Sequence, residues 1–214
     1  MYVPEQYLPP SEGWMAELIV RNPFAVLVTS GGIAEEPCVT HLPVVPGEIP
    51  SAAESAELAG GLLLGHLNRA NPHWRALAGG TRSMLVFTGP DGYVSPAVYA
   101  RDPAAPTWDY TAVHVHGTLR RIESPEESMN VVRSTARLFE ERFGSGWDSS
   151  GSIRYFEELL PGVGAFQFRI SRAEGMFKLS QEQPPEARRA VREHFSAHLN
   201  GGCRAVAELM KRLP

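Results

Sequence analysis

Six short apolar, β-branched stretches, each ended by Gly, Pro or a polar cluster, constrain this chain more than any other feature. They are residues 24–29 (FAVLVT), 38–45 (CVTHLPVV), 62–67 (LLLGHL), 84–88 (MLVFT), 111–122 (TAVHVHGTLRRI) and 163–170 (VGAFQFRI). Side chains of a strand alternate between two faces. In 111–122, Val113 and Val115 therefore share one face and His114 and His116 the other, while Phe166 and Phe168 share a face of the last stretch. A Gly31-Gly32 turn lets the first two stretches pair, and Gly89-Pro90 ends the fourth. Helical patterns are fewer: 11–21, 71–77, 124–143, 152–160 and 186–199. Asn71-Pro72 and Ser124-Pro125 place a capping side chain before a proline in the first turn. Strands following one another with few helices between them argue against a doubly wound parallel sheet. They predict an α+β chain, mostly β: a six-stranded antiparallel barrel with helices outside.

A chain of 214 residues fits one domain, 1–214, with a helical C-terminal segment at about 184–214. The loops 46–60 and 101–106 are too short to separate domains, and no internal repeat is present. Hydrophobic residues at 43% and charged residues at 21% suit a packed core. No apolar run approaches the roughly 18 residues a membrane helix needs, and residues 1–14 lack a basic, then apolar, leader. The expectation is a cytoplasmic chain with no membrane partner. Net charge is −4, and neither half carries a basic stripe, so no nucleic-acid partner is expected. Of 20 basic residues only Lys178 and Lys211 are lysines. Two cysteines, Cys38 and Cys203, make neither a disulfide scaffold nor a zinc ribbon.

The densest chemistry lies in GHLNRANPHWR, residues 65–75. His66 stands near the end of an apolar strand. It reads either as a metal ligand through a neutral imidazole nitrogen or as a buried histidine bonded to backbone. The helix start after Asn71 is a place for an anion. Thr40-His41 sits between apolar neighbours. His114 and His116 are spaced to chelate, without a third ligand in view, and His194 and His198 read as surface residues. GPDGYVSPAVY (89–99) and TWDY (107–110) put aromatics beside tight turns, fitting a flat-ligand pocket or core packing equally. Lys178, between apolar neighbours in FKLSQ (177–181), reads as a pocket cation or an exposed one. No Walker loop, GxSxG or GxGxxG is present.

Taken together the segments resemble one family. MYVP (1–4), THLP (40–43), GHLNRANPHWR (65–75), GPDGYVSP (89–96), PTWDY (106–110), VHVHG (113–117) and FKLSQ (177–181) are similar to the PaiB family, the FMN-binding negative transcriptional regulators. The resemblance implies a split β-barrel, a homodimer, and ligand pockets at the subunit interface. The family pattern runs roughly GPHAYISPSWYPSK, PTWNY and KLSQNR. This chain has GPDGYVSPAVYARD, PTWDY and KLSQEQ.

Those departures, with NRANPHW (68–74), YVSPAVY (93–99), FGSGWD (143–148), LPGVGAF (160–166) and GMFKLSQEQ (175–183), resemble the piperazate synthase branch. That branch implies haem b in place of FMN, with His66 as axial iron ligand. It implies conversion of L-N5-hydroxyornithine to L-piperazic acid by N–N bond formation with loss of water, in natural-product biosynthesis. The cofactor-binding set implied is His66, Arg69, Asn71, Trp74, Ser95, Trp108, Lys178 and Gln181. Candidates for moving protons are Tyr93, Tyr99, His41, His73 and Asp109. The alternative is an FMN-binding flavoprotein or a transcriptional regulator. No helix-turn-helix with a basic recognition helix supports the regulator.

Overall fold

In the computed structural model, which describes residues 1–30, 36–48, 57–77, 79–99 and 102–214, all six stretches form strands. They are β1 (Phe24–Thr29), β2 (Cys38–Glu48), β3 (Leu62–Asn68), β4 (Thr81–Val94), β5 (Thr107–Arg121) and β6 (Val163–Lys178). Every pairing is antiparallel, and the strands close into a barrel in the order β1-β2-β3-β6-β5-β4. Alternation decides what fills it. Leu27, Leu63, Leu85, Phe87, Val113, Val115, Phe166 and Phe168 are buried, each worth about 1.5–3 kcal/mol of transfer free energy. Gly65 stands opposite Phe166, and a Cβ there would lie 2.5 Å from the ring, so glycine is what admits this phenylalanine.

Three strands run further than their apolar stretches. β4 does not end at Gly89-Pro90; it passes through a register shift between Thr88 and Asp91 and reaches Val94. β5 starts at Thr107, and β6 continues to Lys178. The strand beyond 170 is hidden in the sequence because Ser171, Arg172 and Glu174 are surface side chains, and a register shift at His116/Gly117 breaks the alternation. The extensions form a three-stranded ribbon leaving the barrel.

The helices are α1 (Glu12–Arg21), α2 (Pro72–Ala76), α3 (Pro125–Phe143), α4 (Ile153–Leu159), α5 (Pro185–Ser196) and α6 (Gly201–Arg212). α6 falls in the helical C-terminal segment expected at about 184–214, although no separate helical pattern marks it beyond residue 199. Asn200 caps it, accepting the Gly202 N–H at 2.7 Å. Cys203, Val206, Ala207 and Met210 form its buried stripe. α6 packs on β4 and α5, and Gly92 of the ribbon lies against Phe195 and Cys203. One apolar cluster runs from the barrel interior through α1 to these two helices. α3 covers the outer face of β3 and β6, where Val131 meets Ile122, Ala165 and Leu64.

Of the expected 46–60 loop, Pro46 to Glu48 belong to β2, and residues 49–56 lie outside the described residues, as do Gly31, Gly32 and Arg101. Among the described residues no helix is long and apolar enough to cross a membrane.

Candidate functional site

The end of β3 and the short α2 gather the GHLNRANPHWR side chains. His66 alternates with the inward Gly65 and Leu67, so it projects from the outer face, opposite Ala165 of β6. Its Nδ1 is buried and has no hydrogen-bond partner, and burial holds its pKa below the usual histidine value. The imidazole is therefore neutral at pH 7, with a nitrogen uncommitted to protein. That is the state in which a histidine ligates iron.

His73 is a different residue altogether. It is buried, its Nε2 is 2.9 Å from Thr29 Oγ1, and its Nδ1 is 2.8 Å from Thr40 Oγ1. Burial also lowers its pKa. Both ring nitrogens tie α2 to β1 and β2, leaving none for proton transfer to a substrate. Asn71 is consumed locally as well: its Oδ1 accepts the His73 N–H at 2.9 Å and its Nδ2 donates to Thr40. Trp74 is buried, with the Arg121 guanidinium 4.6 Å and the Arg69 guanidinium 5.6 Å from its ring centroid. Arg69 Nε donates to the Val163 carbonyl at 2.7 Å. A Cβ on Gly164 would meet the Trp74 ring at 2.7 Å, so the indole lies flat on the backbone of β6.

The ribbon end gathers a second group. Tyr93 of β4 and Trp108 of β5 are directly paired and half-exposed, with ring centroids 5.9 Å apart. Trp108 Nε1 donates to Asp91 at 3.0 Å. The Lys178 ammonium donates to Thr107 Oγ1 and to the Trp108 carbonyl, and lies 5.8 Å from the Tyr7 ring centroid. Asp109 is fully buried, accepting the Ser180 N–H at 3.1 Å and the Ser180 hydroxyl at 2.6 Å. Desolvation, opposed by those bonds, pushes its pKa up to about 6. Gln181 folds back on its own turn, accepting from Leu179 N–H and donating to the Phe177 carbonyl, both at 2.6 Å. Ser95 Oγ accepts the Ala97 N–H at 3.3 Å, and Tyr99 is buried on the 3-10 turn that follows.

The remaining candidates stand apart. His41 is exposed on β2, stacked on Phe24. His116 Nε2 lies 3.5 Å from Glu174, which also pairs with Arg172. His194 and His198 are neighbours on the C-terminal surface, with His198 Nδ1 accepting the Asn200 N–H. Among the described residues no three His, Cys, Asp or Glu side chains converge as a metal site. A haem iron would need only one protein side chain to hold it, and His66 has the chemistry for that.

Sequence reasoning gave no role to Thr29, Ser180, Thr107, Tyr7 or Glu182. Thr107, Ser180 and Glu182 stand inside quoted motifs, yet each matters through a partner distant in sequence. The two groups are also well separated along β6. His66 faces Ala165 and Tyr110 faces Lys178, which puts roughly 40 Å of β6 between them at about 3.3 Å per residue.

The family described as "Putative FMN-binding domain" matches residues 1–172. The "Protease synthase and sporulation protein PAI 2" of Bacillus subtilis is 26% identical over 212 residues, covering 99% of this chain and 97% of its own. Among solved structures, the FAD and heme binding protein from Mycobacterium smegmatis superposes with a TM-score of 0.58 at 17% identity, covering 80% of this chain and 73% of that one. The flavocytochrome Anf3 from Azotobacter vinelandii gives 0.50 at 14% identity, covering 78% and 66%. The closed six-stranded barrel with flanking helices is the architecture these proteins share, and the chain belongs to the FMN-binding domain family, of PaiB-like type.

Proposed function

We propose that this chain is a haem-dependent cyclase that converts L-N5-hydroxyornithine to L-piperazic acid. The observation that carries the reading is His66, a half-buried, neutral imidazole whose buried Nδ1 is uncommitted, in the very segment whose resemblance implies the iron ligand. Support comes from two proteins of the same fold, the FAD and heme binding protein of Mycobacterium smegmatis and the flavocytochrome Anf3.

In this reaction the α-amine attacks N5. The N–N bond forms as the N5–O bond breaks; the amine gives up a proton and the hydroxyl leaves as water. No electrons are gained or lost overall. Bound haem supplies a Lewis-acidic iron that makes the N5 hydroxyl a better leaving group. The protein's work is the rest. His66 holds the group in place. The exposed Tyr93–Trp108 pair, its rings tilted by 56°, offers aromatic surface, and the Lys178 ammonium, oriented by Thr107 and the Trp108 carbonyl, offers a cation for a carboxylate of haem or substrate. Folding the substrate so that its two nitrogens meet is a proximity effect worth several kcal/mol. Among the proton-transfer candidates, Tyr93 is exposed against Trp108, whereas His73 has both nitrogens engaged.

The distance along β6 between His66 and Lys178 favours a site completed by a second copy of the chain, with His66 from one protomer and Lys178 from its partner. The test is direct. Protein reconstituted with hemin is given L-N5-hydroxyornithine, and piperazic acid is sought by mass spectrometry. Turnover that needs hemin supports the reading; hemin uptake without product overturns it. The second reading, a flavoprotein, is favoured by the family match itself. It requires flavin absorption in the purified protein and no response to hemin.

A further inference from the structure

Asp109 combines features that suit neither an acid nor a base. It is fully buried, and both carboxylate oxygens are spent on one residue, Ser180, through its N–H at 3.1 Å and its hydroxyl at 2.6 Å. Ser180 is itself buried and has φ +59, the only non-glycine residue with a positive φ among the described residues. That conformation is strained for an L-residue. Two hydrogen bonds to a carboxylate offset it. The turn they hold follows immediately on Lys178. Asp109's own neighbours on β5, Thr107 and the Trp108 carbonyl, take the Lys178 ammonium at the other end of the side chain. One short piece of β5 thus grips β6 twice, once at the cation and once at the turn behind it.

We propose that Asp109 is a positioning residue: through the Ser180 turn it sets the place of the Lys178 ammonium, which receives a carboxylate of the bound ligand. This rests on the ligand-binding role given to Lys178 above. The groups facing Asp109 are Lys178 on β6, Glu182 beyond the turn and Tyr7 from the N-terminal 3-10 turn.

The probe is hemin, titrated at pH 7.5 and followed by its Soret band. Lys178→Gln weakens binding about tenfold, the loss of one charged contact, 1.4 kcal/mol. Asp109→Ala weakens it by a similar factor, yet adds less than twofold in the Lys178→Gln background. Asp109→Asn, which keeps an oxygen for the Ser180 N–H and an amide for its oxygen, binds within twofold of the parent. The Soret position is unchanged throughout, because His66 is untouched. Equal losses from Asp109→Ala in both backgrounds, or an Asn variant as poor as the Ala variant, overturn the proposal. If Asp109→Ala does not fold, Ser180→Gly takes its place, since glycine accepts the positive φ but lacks the hydroxyl; the same non-additivity with Lys178→Gln is required. A ligand-free readout separates this proposal from the cyclase reading. The 15N resonance of the Lys178 ammonium shifts in Asp109→Ala, or in its Ser180→Gly substitute, and returns in Asp109→Asn. No shift overturns the positioning role, whereas parent protein that ignores hemin overturns the haem reading alone.

Discussion

A single histidine can be a ligand, an acid or a brace, and burial with partner count decides which. His73 is buried and His66 half-buried, and burial lowers the pKa of both, yet only His73 is saturated, by two threonine hydroxyls. The sequence places them seven residues apart in one motif and does not distinguish them, because Thr29 and Thr40 belong to strands far earlier in the chain. Asp109 makes the same point with a titration. Its pKa rises from 3.8 unfolded to about 6 folded, so the folded state binds the proton more tightly. The stability it contributes is complete below pH 4 and is lost as pH rises through 6, at a cost of roughly 3 kcal/mol above that. Asp109→Asn removes the cost. Urea unfolding should show the variant gaining on the parent between pH 4 and pH 6.5 and keeping a constant lead above it. A difference that does not change with pH would show that folding leaves the Asp109 pKa where it is in the unfolded chain.

At the scale of elements, strand existence was legible and strand length was not. The apolar alternation of 24–29, 62–67 and 163–166 marks β1, β3 and the start of β6 because one face of each must fill the barrel. The ribbon ends of β4, β5 and β6 escaped, since glycines, a proline and surface charges replace the alternation there. Those ends are also where Tyr93, Trp108, Asp109 and Lys178 assemble. One tight sequence requirement of the barrel sits at Gly65, where a Cβ would fall 2.5 Å from Phe166. Gly65→Ala should cost about 1–3 kcal/mol by overpacking, read as a lowered Tm. Because His66 is the next residue, the shift should also weaken hemin binding. An alanine variant as stable as the parent would mean that Phe166 has room to move.

At the scale of the whole molecule, the barrel is a scaffold that presents two chemical groups at opposite reaches of β6. The helices α5 and α6 brace the ribbon through Phe195 and Cys203 rather than forming a separate unit. A site shared between two copies predicts complementation. His66→Ala and Lys178→Gln homodimers are each defective. Mixed dimers contain one site with both residues intact and one with neither, so co-expressed subunits should recover about half the parent's tight hemin sites per mixed dimer. No recovery in a verified mixed dimer would place both residues in one chain's site, or show that Lys178 takes no part.

The central claim is that His66 ligates haem iron. The most direct measurement is a hemin titration of the parent and of His66→Ala, followed by ultraviolet–visible absorption, with circular dichroism to show that the barrel persists. The parent should develop a sharp Soret band in the region usual for histidine-ligated haem, about 400–420 nm. The folded variant should not. A variant with the parent's affinity and an unchanged Soret band would contradict the claim.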